Sequence, residues 1–210
     1  MGTQMRAIPQ IVNDFAAAIK AADGRRPQAV NVRSKEAFQP GIGPHSESKT
    51  VELVASEMLI ANPEEYSDRI ATGVPYPDMP RQKCDLCVGT PLEWEWAIEV
   101  KMLRMLGDNG KLNDNILMHI LSPYPEHRSA LTDCEKLSAS LLGRNSAILI
   151  YGYEHPDWPL VPAIDAFERL ASARVRLGPR ATAGFRDLIH PVHSGGAVFG
   201  WAIGQFHAPA

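Results

Sequence analysis

An alternation of apolar and polar side chains, interrupted only at Ala97, runs through Trp94-Glu95-Trp96-Ala97-Ile98-Glu99-Val100-Lys101-Met102. Successive side chains of a strand point to opposite faces of its sheet. The pattern therefore predicts a strand with Trp94, Trp96, Ile98, Val100 and Met102 on one face. Glu93, Glu95, Ala97, Glu99 and Lys101 fall on the other. An apolar face this long has to be covered, which commits the chain to a sheet with a packed side. A second strand-like segment, Cys84-Asp85-Leu86-Cys87-Val88, lies just upstream, with Gly89-Thr90-Pro91 between the two. Paired as a hairpin, these segments bring an aspartate, a glutamate and a lysine to one face.

The flanking sequence supplies cover for such a sheet. Ile11, Val12, Phe15, Ala18 and Ile19 recur at helical spacing over 9–22, closed by Asp23-Gly24. Ser46 is suited to cap a helix reaching about Leu59, with Val51, Val54, Ala55 and Met58 as its apolar stripe. Residues 62–81 contain Pro63, Pro75, Pro77 and Pro80 and read as an irregular loop over a cleft. The two hairpin strands are expected at about 82–88 and 93–104, ended by the turn residues Gly107-Asp108-Asn109-Gly110. A helix over 129–142, an apolar strand at Ala147–Tyr151, a helix from Pro162 to Leu177 and a strand from Ala197 to Phe206 complete the pattern. This order describes a mixed α/β fold with a central sheet. Its 210 residues suit one domain spanning 1–210: an N-terminal helix and connector (1–45), a core (46–151), and a helix and strand completing it (152–210).

Composition narrows the setting. With 45% hydrophobic and 21% charged residues the chain has an ordinary soluble profile, and no apolar run is long enough to span a membrane. The start Met1-Gly2-Thr3-Gln4-Met5-Arg6 lacks a secretory pattern, and three cysteines suit a reducing compartment, so a cytoplasmic location is expected. A net charge of -3 gives no global attraction for nucleic acid. Local attraction is conceivable at the acid-free run holding Arg169, Arg174, Arg176, Arg180 and Arg186, although a solvated face explains it as well.

Asp85, followed fourteen positions later by Glu99-x-Lys101, all behind an acid-bearing helix, resembles the PD-(D/E)XK nuclease superfamily and its restriction-endonuclease-like fold. The resemblance spans roughly residues 46–151, and Cys84 stands where the proline naming the motif would be. It implies a metal-dependent nuclease that hydrolyses DNA phosphodiester bonds, with Asp85 and Glu99 holding Mg²⁺ or Mn²⁺ and Lys101 positioning the attacking water. A helix acid would complete the set. Glu47, four residues before Val51 and seven before Val54, continues the buried stripe and is the first candidate for both catalysis and metal. Glu52, about 100° from Val51, is the second. Many relatives in this superfamily act as dimers, which raises a homodimer as an expectation.

The chemistry agrees with the resemblance. Phosphodiester hydrolysis benefits from a hard cation that draws charge from the phosphate and acidifies water, and Mg²⁺ is satisfied by one or two protein carboxylates. The rival reading is a non-catalytic binding or assembly protein of the same fold, in which Glu95, Glu99 and Lys101 form a solvated sheet face. Other constellations are weaker. Cys84-x-x-Cys87 with Cys134 lacks a fourth zinc ligand, and positions three apart on a regular strand face opposite ways. His190 and His193 read as loop histidines, and Gly41-x-Gly43 lacks the rest of a dinucleotide fingerprint. Arg128, near a helix start, is disfavoured by the helix dipole and suggests a local anion.

Overall fold

The computed structural model describes residues 6–31 and 34–204. Along them run α1 (Ile8–Gly24), α2 (Glu47–Ala61), the one-turn α3 (Pro63–Tyr66), β1 (Ile70–Pro75), β2 (Lys83–Thr90) and β3 (Glu93–Leu103). There follow α4 (Met118–Leu121), a 3-10 turn at Pro125–His127, α5 (Ala130–Ala139), β4 (Gly143–Tyr153), α6 (Val161–Ser172), β5 (Arg176–Leu177), β6 (Ala181–Arg186) and β7 (Gly195–Gly204). The strands form a seven-stranded sheet in the order β1-β2-β3-β4-β7-β5, with β6 also paired to β7. All pairings are antiparallel except β3 with β4. That parallel pair requires a crossover, which α4 and α5 provide.

Helices cover both faces. On one, Ile11, Phe15 and Ile19 of α1 and Val54 and Met58 of α2 pack with Ile98, Val100, Leu149 and Tyr151. On the other, Leu131 and Leu137 of α5 and Ile164 and Phe167 of α6 pack with Ala97, Ile148, Ile150 and Trp201. β4 is therefore buried on both sides, which explains its unbroken apolar sequence. Ser46 caps α2, its hydroxyl accepting from the Lys49 amide at 3.4 Å. At the end of α1, Asp23 is only 2% exposed. Its carboxylate accepts from the Ile42 amide at 2.9 Å and the Ile189 amide at 2.7 Å, tying two distant loops to one helix end.

Several expectations need correction. Trp94 does not share the face of Trp96. Val88 opposes Trp96 while Gly89 opposes Trp94, so Glu95 is an extra residue and turns Trp94 onto the α5–α6 side. Gly89 permits this bulge, with φ at 125° and a Cβ position only 2.4 Å from the Glu95 nitrogen. β2 continues through Thr90, leaving Pro91 and Leu92 as the turn. The proline-containing stretch 62–81 is not all loop, since it holds α3 and β1. β1 is a half-exposed edge strand, so its hydrophobic signal is thin. β6 went unseen because alanine and glycine fill much of it. α5 stops at Ala139, leaving Leu141 exposed, and α6 stops at Ser172, so Arg176-Leu177 is a strand. The last strand is observed as Gly195–Gly204; its expected extension to Phe206 lies outside the described residues, as do Met1–Met5.

Candidate active site

β2 and β3 pair from Thr90 and Glu93 as far as Leu86 and Ile98, and there the ladder ends. Buried backbone amides left without partners are costly. Side chains fill the gap: the Val100 amide donates to Asp85 Oδ2 at 2.9 Å and the Met102 amide to Glu47 Oε2 at 2.5 Å. The Cys84 thiol donates to the Ile98 carbonyl at 3.3 Å. Asp85 from β2 and Glu47 from the first turn of α2 are thus fixed against the edge of β3 by the amides they cap.

Glu99 and Lys101 project from β3 toward α5. They are not solvated, being 2% and 9% exposed respectively. α5 answers them with Asp133 and Lys136, three residues apart on one helix face. Lys101 Nζ lies 2.7 Å from Asp133 Oδ2 and 3.7 Å from Glu47 Oε1. Lys136 Nζ lies 2.7 Å from Glu99 Oε1 and 2.8 Å from Asp133 Oδ1. The Tyr76 hydroxyl donates to Glu99 Oε1 at 2.5 Å, and the Lys136 ammonium stands 5.1 Å from the centre of its ring.

Four carboxyl groups thus share two ammonium groups. Burial, then the charges of Asp133 and Asp85, pushes Glu99 up to about 8. Burial also raises Asp85 and Glu47, although Lys101 and the capped amides oppose the shift. The interaction between the two carboxyls acts to lower Asp85 and to raise Glu99. Burial and the neighbouring carboxylates thus favour the neutral form of Glu99. For Lys101 and Lys136 burial acts downward, but the surrounding carboxylates outweigh it and hold both ammonium groups charged.

These groups line a cleft of about 950 Å³. One wall is the β1–β2 connection with Asp78, Arg81 and Lys83; the other is the α4–α5 segment with His119, His127 and Arg128. Among the sequence candidates, Asp85, Glu99, Lys101 and Glu47 all line it. Glu52 does not: it is exposed and pairs with Lys49 at 2.8 Å. Asp133, Lys136 and Tyr76 were missed. Asp133 stands three after Ala130 and four before Leu137, on the buried stripe of its helix, so the reasoning that singled out Glu47 would have found it. Tyr76 had no comparable signal.

The remaining candidates have structural settings. Cys84 and Cys87 are buried free thiols. Contrary to the regular-strand expectation both are packed in the core on the α5–α6 side. His190 and His193 are buried rather than on the surface; their rings stack at 4.8 Å, and His193 Nε2 lies 3.0 Å from Asp108 Oδ1. Gly41 and Gly43 are close-approach positions, against Asp23 and the His193 ring. In the arginine run, Arg174 is paired with Glu135, and Arg180 with Asp165 and Glu168.

Among the described residues no three His, Cys, Asp or Glu side chains form a ready-made metal cage. The donor chemistry nevertheless fits a hard divalent cation, which needs only one or two carboxylates and keeps several waters. Asp85 and Glu99 both present carboxyl groups to this cleft. Compared with known family models, characterised proteins and solved structures, the chain matches none at a significant level.

Proposed function

We propose that the protein is a metal-dependent nuclease, hydrolysing DNA phosphodiester bonds in the cleft between β2, β3 and α5, on a restriction-endonuclease-like core. The observation that carries this reading is that Asp85, Glu99 and Lys101 line one cleft where β2 leaves β3. The order α2, β1–β2–β3, α5, then β4 parallel to β3 supports the core architecture.

Asp85 and Glu99 would hold Mg²⁺ or Mn²⁺. A cation bound there would draw charge from the phosphate and acidify the attacking water. The chain's own residues do the rest. Glu47 and Asp85 brace the β3 edge through its amides, so Lys101 keeps a fixed position. Its ammonium, held charged, orients water and offsets the negative charge that grows on the phosphate oxygens. Water adds to phosphorus, the bond to the leaving sugar oxygen breaks, and a proton passes from the water to that oxygen. Lys136 and Tyr76 orient Glu99 by bonding to its Oε1.

Purified protein with Mg²⁺ or Mn²⁺ should nick or linearise plasmid, and Glu99→Ala should lose that activity. Equal cleavage by wild type and variant would sink the assignment. One observation favours a non-catalytic reading as well: Lys136 already sits against Glu99 and Asp133 as a built-in counter-charge. Titration with Mn²⁺ separates the two, since a nuclease site binds it and loses binding on Asp85→Asn.

A further inference from the structure

The acids and lysines of the site lie on the floor of a cleft, with the connection before β2 and the segment before α5 rising as walls. A duplex is stiff, with a persistence length of about 50 nm, and it carries its phosphates on a convex surface. A cleft can take such a surface or a single strand, and the groups on its walls decide between them.

The walls carry the groups such a strand needs. Among the described residues, the ion pairs lining the cleft belong to its floor, at Lys101 and Lys136. Arg81 and Lys83 on one wall and Arg128 on the other are exposed and, among the described residues, pair with no carboxylate. Asp78 is the acid beside Arg81 and Lys83. Arg128 adopts φ 47° and ψ 46°, a conformation that favours glycine, so a long cationic side chain is kept at the lip where glycine would serve the turn better. Four residues earlier, Tyr124 is 58% exposed. Its ring meets only the edge of the half-buried His127 ring, at 5.7 Å and 84° among the described residues. Ser122 holds that imidazole at 2.5 Å through Nδ1, which stiffens the platform. An exposed aromatic on a stiff support beside unpaired cations is the arrangement that binds single strands by stacking and charge.

We infer, building on the nuclease reading, that the cleft accepts a single-stranded polynucleotide. Arg81, Lys83 and Arg128 hold its phosphates, and Tyr124, backed by His127, stacks a base at the mouth. Threading a strand past this platform brings one phosphate down to Asp85, Glu99 and Lys101.

The test is binding without metal, measured by fluorescence anisotropy in EDTA. The probes are a labelled dT 15-mer, a labelled rU 15-mer and a 15-base-pair duplex closed by hairpins at both ends. The expected result is at least tenfold tighter binding of a single strand than of the closed duplex, with the dT and rU arms assigning DNA or RNA. Tyr124→Ala should weaken single-strand binding about tenfold, and Tyr124→Phe should preserve it. Arg128→Gln should make the salt dependence shallower by about 0.7 in log–log slope. Duplex binding as tight as single-strand binding, no binding of any probe, or a Tyr124→Ala variant that binds like wild type would overturn the inference. The nuclease reading fails separately: single strands that bind as described but survive Mg²⁺ and Mn²⁺ uphold the cleft assignment and remove the catalytic one. Cleavage of duplex without a single-strand preference does the reverse.

Discussion

Glu99 concentrates the chemistry of the site in one proton. Its ordinary value is 4.5 and burial with neighbouring charge raises it to about 8, so the folded state favours its neutral form. That preference stabilises the protein fully below the unfolded value and is lost as pH rises through the folded one. Glu99→Gln cannot ionise and escapes the loss. In EDTA at pH 9 its melting temperature should exceed that of wild type by at least about 2–4 °C, the shift that 1 kcal/mol produces in a chain of this size. At pH 5 the two should melt together; a gain equal at both pH values would show that the proton is not involved. On the proposed reading, the same proton would have to leave before a divalent cation binds. Calorimetric Mn²⁺ titrations at pH 7 in buffers of different ionisation enthalpy should report release of close to one proton, and apparent affinity should climb with pH to about 8. Lys136 carries the opposite sign. Lys136→Met leaves Glu99 and Asp133 facing each other, and urea denaturation at pH 9 should find it about 1–3 kcal/mol less stable, with a smaller deficit at pH 6.

The functional element is the parting of β2 from β3. The Val100 amide is held by the Asp85 carboxylate, whereas Ile98 lies inside the regular ladder. Asp85→Ala should accelerate hydrogen exchange at the Val100 amide by at least tenfold and leave Ile98 unchanged, as read by NMR. Equal acceleration at both would mean that the hairpin as a whole depends on Asp85. Much of this element was legible in advance. The period-2 pattern of residues 96–102 fixed which face holds Glu99 and Lys101, and the helical stripe through Val51 and Val54 pointed to Glu47. The end of the ladder was not legible, because it is a tertiary event that depends on β2 following β1 instead of β3. Trp94 was misassigned for a related reason. One extra residue at a bulge inverts everything beyond it, and only the partner strand reveals the insertion.

Across the whole molecule, two cores clamp a sheet whose central strand β4 is buried on both faces, and the site lies where the sheet opens at one end of β3. Asp23 anchors this arrangement at a distance, holding the loops at Ile42 and Ile189. The first of these loops leads into α2 and so to Glu47. Asp23→Ala should cost about 2–4 kcal/mol in urea denaturation, because it strips two buried amides of their acceptor. A cost below about 0.5 kcal/mol would show that the loops are held by other contacts. The sequence suggested the mixed α/β class through its alternation of helical and strand periods. Asp133 was legible as a buried acid on its helical stripe, but its pairing with β3, and that of Lys136, was not, since the helix that bears them reaches the site only through the crossover.

Lys101 and Lys136 also bear on the order in which the protein is made. Proteins whose acid clusters face one another unrelieved must wait for an ion before they can fold. Here the neutralising charges are part of the chain and come in with α5 and β3, and the one proton still needed is drawn from water. The cluster can therefore be neutralised as the fold completes, without a metal ion. On the proposed nuclease reading, arrival of a cation would then exchange a proton for a metal within a finished scaffold, so the supply of metal would set when the protein acts and not whether it folds.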